Sequence, residues 1–257
     1  MAKSASLMIL CASLTCALMP ASIAQAQMID GAHMATPVPD YAQSLIYGQT
    51  FSKSYRDRVS RKARSERSGD DPKFSSSPTR YPREDFRVAF APGVSAAVKQ
   101  DYIDSIARST NAKVAGELDT FYSRHPVRSQ FEIAIRPYGL RSDDLADVAA
   151  AHLVVMWMTA NNARLPDAVQ VRGVQAQVQR QMASSGASSP RADERQRIAE
   201  ALMYQTVTLI KVREQAQAES SDAHLLDLAD SAQSTMAKQD VDLRAMQLTA
   251  DGLVPRG

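Results

Sequence analysis

From Val148 to Met158 the chain is apolar at every position except His152. A helix that is apolar all round has no face to give to water, so it belongs in the middle of a bundle with other helices around it. The residues before this run are those of a helix start. Ser142 is placed to cap by accepting from free backbone N–H groups, and Asp143 and Asp144 set negative charge at the positive end of the helix dipole. Asn161 and Asn162 readily take the left-handed conformation that stops a helix, so the spacing predicts a central helix from Ser142 to about Asn162.

The flanking sequence supplies the surrounding helices. Val94, Val98, Tyr102 and Ile106 recur every four residues and share one helical face. A shorter helix is expected over Ala112 to Tyr122. A third should open with Pro126 at its first position and carry Phe131 and Ile135. Phe131, Ile133 and Ile135 also alternate, which leaves a strand open there; Pro137 and Gly139 end either element. Leu165-Pro166-Asp167 opens a fifth helix reaching about Met182, and Ala183 to Ser189 is a loop of small residues. Ser189 as cap and Pro190 as first helical residue begin a long helix striped by Ile198, Leu202, Leu209 and Val212, widened by Met203 and Ile210. Ser220 or Ser221 caps a seventh helix carrying Leu225, Leu228, Ala232 and Met236. Val241, Leu243, Met246 and Leu248 suggest a short closing helix. Phe86 to Phe90 alternates and reads as a short strand. No fixed-period repeat is visible. The expected fold is all-α: a single bundle of about seven helices over residues 86–252, followed by a tail at 253–257 and preceded by a flexible leader at 27–85.

The N-terminus has the order of a secretory signal: Lys3, an uncharged apolar stretch from Leu7 to Met19, then Pro20 and the small residues Ala24-Gln25-Ala26. Cleavage is expected after Ala26, giving residues 1–26 as signal peptide. The apolar stretch is shorter than the ~20 residues of a spanning helix, so no transmembrane anchor is expected after cleavage. The two cysteines, Cys11 and Cys16, both lie in this segment. The mature chain would therefore have neither disulfides nor cysteine chemistry, in the periplasm or secreted. The leader is interrupted by Pro37, Pro39, Pro72, Pro78 and Pro82. It holds a basic block of Lys53, Arg56, Arg58, Arg61, Lys62, Arg64 and Arg67 against Asp57 and Glu66. The closing Leu253-Val254-Pro255-Arg256-Gly257 resembles a protease cleavage site and is read as native.

Pro137-Tyr138-Gly139-Leu140, Asp144, Ala146-Asp147, Trp157 and Asn161, with the closing Leu248-Thr249-Ala250-Asp251-Gly252, form a pattern. It resembles that of a family of exported bacterial proteins known only as a domain of unknown function. The family joins a Gly-Leu turn and an Ala-Asp helix start to a Trp-containing central helix, and ends on a Leu-Thr-x-x-Gly segment. The resemblance covers roughly 90 to 253. Asp193 and Gln196 only approximate the family's Asp-x-x-x-Gln element, and His152 stands where an aromatic residue would be expected. The resemblance implies fold limits and export; it implies no mechanism.

Several side chains are candidates for chemistry or binding. His152, on the central helix, could act as acid, base or ligand, though a core histidine bonded to its surroundings is the commoner case. Asp147 could serve in acid–base work, but dipole complementarity or an ion pair with Arg136 or Arg141 explains it as well. Glu117 is a third candidate for a catalytic set. Trp157, the single tryptophan, could stack on a ligand, yet such a residue on an apolar helix is more often core. Arg58, Arg61, Lys62 and Arg64 could bind anionic envelope polymer; with one interleaved aromatic, Tyr55, nucleic acid is not favoured.

His33, His125, His152 and His224 are scattered, with no metal-binding spacing, and no phosphate loop or nucleophile motif occurs, so no metal or cofactor is expected. The sequence leans toward an exported, non-catalytic helical binding protein with an unidentified protein partner in the cell envelope. One concrete version is an immunity-type inhibitor of a periplasmic toxin. The rivals are an envelope hydrolase using Asp147, His152 and Glu117, and an adaptor that adheres to anionic polymer through the basic block.

Overall fold

The computed structural model describes residues 86–184 and 190–256. The signal segment, the leader with its basic block, and most of the expected 183–189 loop lie outside the described residues. Within them the chain forms seven α-helices and one small hairpin. These are α1 (Pro92–Ser109), α2 (Ala112–Arg124), α3 (Val127–Ile135), α4 (Leu145–Ala160), α5 (Ala168–Ser184), α6 (Ala192–Ala218) and α7 (Asp222–Ala237), then β1 (Met246–Thr249) and β2 (Gly252–Pro255). A 3-10 turn, Arg136–Tyr138, follows α3 and ends where Gly139 takes φ +72°.

The helix that is apolar all round is the centre. Every residue of α4 except Val155 and Trp157 is buried, and α5, α6 and α7 pack around it. The 27-residue α6 is the second axis and also carries α1 and α3. At ~1.5 Å per residue it runs about 40 Å, long enough to meet both layers. Phe131, Leu145, Leu153, Ile198, Leu202 and Met203 are sealed where these helices meet. A second contact of α1, α2 and α6 is aromatic and polar. Tyr102 stacks on Tyr204 with ring centroids 4.9 Å apart, and Tyr122 meets Tyr204 edge-on at 4.8 Å. The hydroxyl of Thr208 lies 2.7 Å from that of Tyr102 and 2.6 Å from that of Tyr122, so both phenols are satisfied inside the core.

The cap of α4 is Asp144, not Ser142. Its carboxylate accepts from Ala146 N and Asp147 N, while the Ser142 hydroxyl donates to Glu132 Oε1 at 2.6 Å. The displacement follows from residues 87–88, which run beside the helix start. Arg87 bridges to Asp144, and Val88 N donates to Asp143 O. That extended pairing holds residues 143–144 out of the helix, and it is all that forms of the strand expected at Phe86–Phe90. The strand alternative at Phe131–Ile135 does not form; α3 lies there, with Pro126 as its N-cap. In α6 the N-cap is Arg191, whose N–H donates to Glu194, so Pro190 precedes the helix rather than opening it. Ser221 does cap α7, accepting from His224 N.

The closing helix expected over Val241–Leu248 does not form: residues 241–245 are irregular and turn, and Met246 begins a hairpin with Thr249 paired to Gly252 across the Ala250-Asp251 turn. Met246 and Leu248 point inward and Gln247 outward, the two-residue period of a strand. Residues 253–255, set apart as a tail by the sequence, form most of β2. Leu253 is buried, and the Arg256 guanidinium donates to Met246 O and Asn161 Oδ1.

Candidate functional site

Two helical stripes face each other across a gap. On α4, Ala151, Val154, Val155 and Met158 stand at helical spacing; on α6, Thr206, Ile210, Arg213, Glu214 and Gln217 do the same. Ile135, Tyr138 and Leu140 close one side, and the α4–α5 connection with Ala163, Arg164 and Leu165 closes another. The result is a cavity of about 600 Å³, within the ~300–1,000 Å³ usual for small-molecule sites. Its wall is mostly hydrocarbon, and its charged groups gather on the last turns of α6 and on Arg164.

Arg213 is the unusual member. It is 8 % exposed, and burial holds its guanidinium below the ordinary arginine range. One terminal nitrogen donates to Ala163 O at 2.5 Å, which fastens the α4–α5 turn to α6. Among the described residues, no carboxylate lies within ion-pair distance of it. The neighbouring Glu214 is paired to Lys211 at 2.9 Å, so it offsets little of the positive charge. A buried cation without a counter-ion is expensive, which makes this end of the cavity receptive to an anion. Leu165, at the rim, is 76 % exposed.

Thr206 links the cavity wall to His152. Its hydroxyl donates to Leu202 O at 2.7 Å, so toward His152 Nδ1, 3.0 Å away, it can only accept. Nδ1 therefore carries the proton. Burial pushes the imidazole down to about 4, leaving it neutral near pH 7. This is a core histidine with a fixed tautomer.

Asp147 sits elsewhere. Its carboxylate accepts from Arg141 N at 3.0 Å and from Gln175 Nε2 at 2.5 Å, tying the start of α4 to the preceding turn and to α5. The Arg141 guanidinium pairs with Asp143. Five residues apart on one helix, Asp147 and His152 differ by about 140° in direction. Glu117 is partly buried on α2, a helix packed mainly on α1. The structure thus does not gather the three candidates into one cleft. Trp157 is partly buried, with its indole N–H on Met246 O at 3.1 Å, where it anchors the hairpin. Arg58, Arg61, Lys62 and Arg64 lie outside the described residues.

The sequence reading did not single out Arg213. A signal was present: Leu202, Thr206, Leu209 and Arg213 follow one another at four-, three- and four-residue steps. An arginine in line with a core stripe marks a charge carried inward.

With this geometry in hand, the chain can be placed among known proteins. It belongs to a family of unknown function, DUF6683, whose model spans residues 3–256. Comparison with curated proteins and with solved structures found no match.

Proposed function

We propose that the protein is an exported, non-catalytic binding protein of the cell envelope, and that its helical body takes an apolar small molecule. The observation that carries this reading is the cavity between α4 and α6, large enough for a ligand and walled by hydrocarbon. Lys3, the apolar stretch Leu7–Met19 and Ala24-Gln25-Ala26 support export. The separate placement of Asp147, His152 and Glu117 gives the hydrolase reading no shared water or substrate position to work from.

Two measurements test this. The intact mass of the protein recovered from the envelope fraction should place its first residue at Gln27; recovery with residues 1–26 still attached would argue against processing. Nile red, a neutral apolar dye, should bind with saturable, one-site fluorescence enhancement. Ala151→Phe, which fills the wall, should abolish that enhancement while the protein stays folded. Enhancement unchanged by Ala151→Phe would place the dye elsewhere and remove the support for the cavity.

A further inference from the structure

Resting on that reading, we infer that the cavity takes a single-chain anionic amphiphile with a carboxylate head. The head would meet Arg213 and Arg164, and the alkyl chain would lie between Val154, Met158 and Ile135. Three features of the site converge on this class. First, an apolar wall of this extent matches a hydrocarbon chain, because methylene groups gain ~0.8 kcal/mol each on leaving water. Second, the charged lining is net cationic. Apolar side chains of α3, α4 and α6 line the gap together with two arginines, Arg164 and Arg213, while Glu214 is paired with Lys211. Third, Arg213 has used one terminal nitrogen on Ala163 O. A guanidinium has five N–H donors in a planar fork, and those that remain match the two oxygens of a carboxylate. The exposed Leu165 at the rim offers an apolar surface over which a chain can enter. A neutral apolar ligand would leave the buried guanidinium without a counter-ion among the described residues, and a cationic one would add repulsion to that cost.

The test uses three amphiphiles of one chain length below their micelle concentrations: dodecanoate, dodecanol and dodecyltrimethylammonium. Each is titrated calorimetrically into the unmutated protein as recovered from the envelope fraction. Dodecanoate should bind at one site and at least tenfold more tightly than dodecanol, with no measurable binding of the ammonium compound. Arg213→Gln should erase the preference for dodecanoate over dodecanol, Arg213→Lys should keep part of it, and Arg164→Gln should weaken it. Should Arg213→Gln fail to fold, the ranking on the unmutated protein and the effect of the exposed Arg164 still decide. Equal affinity for dodecanoate and dodecanol would overturn the carboxylate assignment and leave the binding-protein reading standing. Failure of all three, together with failure of Nile red, would overturn both.

Discussion

Gln177 pairs with both main-chain groups of Leu253: its Nε2 donates to the Leu253 carbonyl at 3.1 Å, and its Oε1 accepts the Leu253 N–H at 2.8 Å. One amide side chain on α5 thus completes the backbone hydrogen bonding of a buried strand residue. Gln196 on α6 does the same for Ala91, accepting its N–H at 2.9 Å and donating to its carbonyl at 3.0 Å. Two buried glutamines therefore hold the two ends of the described body, one just ahead of α1 and one on the final strand.

Gln177→Ala is expected to lower stability by about 2 kcal/mol or more, because it leaves a buried N–H and a buried C=O without their partner. Amide hydrogen exchange locates the loss. The Leu253 amide should exchange much faster in the variant, while amides in the middle of α4 change only as far as global stability falls.

Gly173 gives an opposed pair of effects whose sign can be predicted. Alanine at a helix interior gains about 1 kcal/mol over glycine. A Cβ at Gly173, however, would overlap the carbonyl oxygen of Ala250 and come within 2.7 Å of Gly252 N, both backbone atoms of the hairpin turn. The hairpin cannot yield without breaking its contacts to Gln170 and Gln177. Overlap with backbone costs about 1–3 kcal/mol, so Gly173→Ala should be net destabilising in urea melts. A stabilised variant would mean that the hairpin does not rest on α5.

These contacts explain which parts of the fold the sequence could disclose. The helices were legible because each carries its own period: Val98, Tyr102 and Ile106 on α1, and Ile198, Leu202 and Leu209 on α6, announce a buried face without reference to any partner. The hairpin was not. Its strands have four residues each, Leu243 and Met246 also fit a helical step, and what fixes it is a row of α5 side chains about 75 residues away in the chain. The same holds for the cavity. Ile135, Met158, Leu165 and Arg213 each read as an ordinary member of its own element, and the gap exists only where four elements meet. The site was visible only as an arginine in an apolar stripe.

The start of α4 allows two capping candidates to be separated. Asp144 is buried and satisfies two N–H groups, whereas the Ser142 hydroxyl serves Glu132. Asp144→Ala should cost about 1–2 kcal/mol, the upper part of the range for a cap. Ser142→Ala should cost less, because Glu132 is partly exposed and keeps Arg128. Comparable losses from thermal melts of the two variants would show that capping is shared.

His152 sets a pH dependence whose direction follows from its environment. In the folded chain burial holds the imidazole down to about 4, against an unfolded value near 6.5. Between these values the unfolded chain binds a proton and the folded chain does not, so stability falls as the pH drops from about 6.5 toward 4. A depression of that size corresponds to about 3 kcal/mol over the window. Glu200 acts the other way: burial raises its carboxyl above the usual range, so its contribution weakens as the pH rises. Comparison of one variant with the parent cancels that background. His152→Gln keeps a side-chain donor for Thr206 and removes the titration, so its urea midpoint should vary less with pH than the parent's between pH 4 and 6.5. Equal slopes for the two proteins would show that the imidazole is protonated inside the fold, and the neutral, Nδ1–H core histidine assigned above would have to be abandoned.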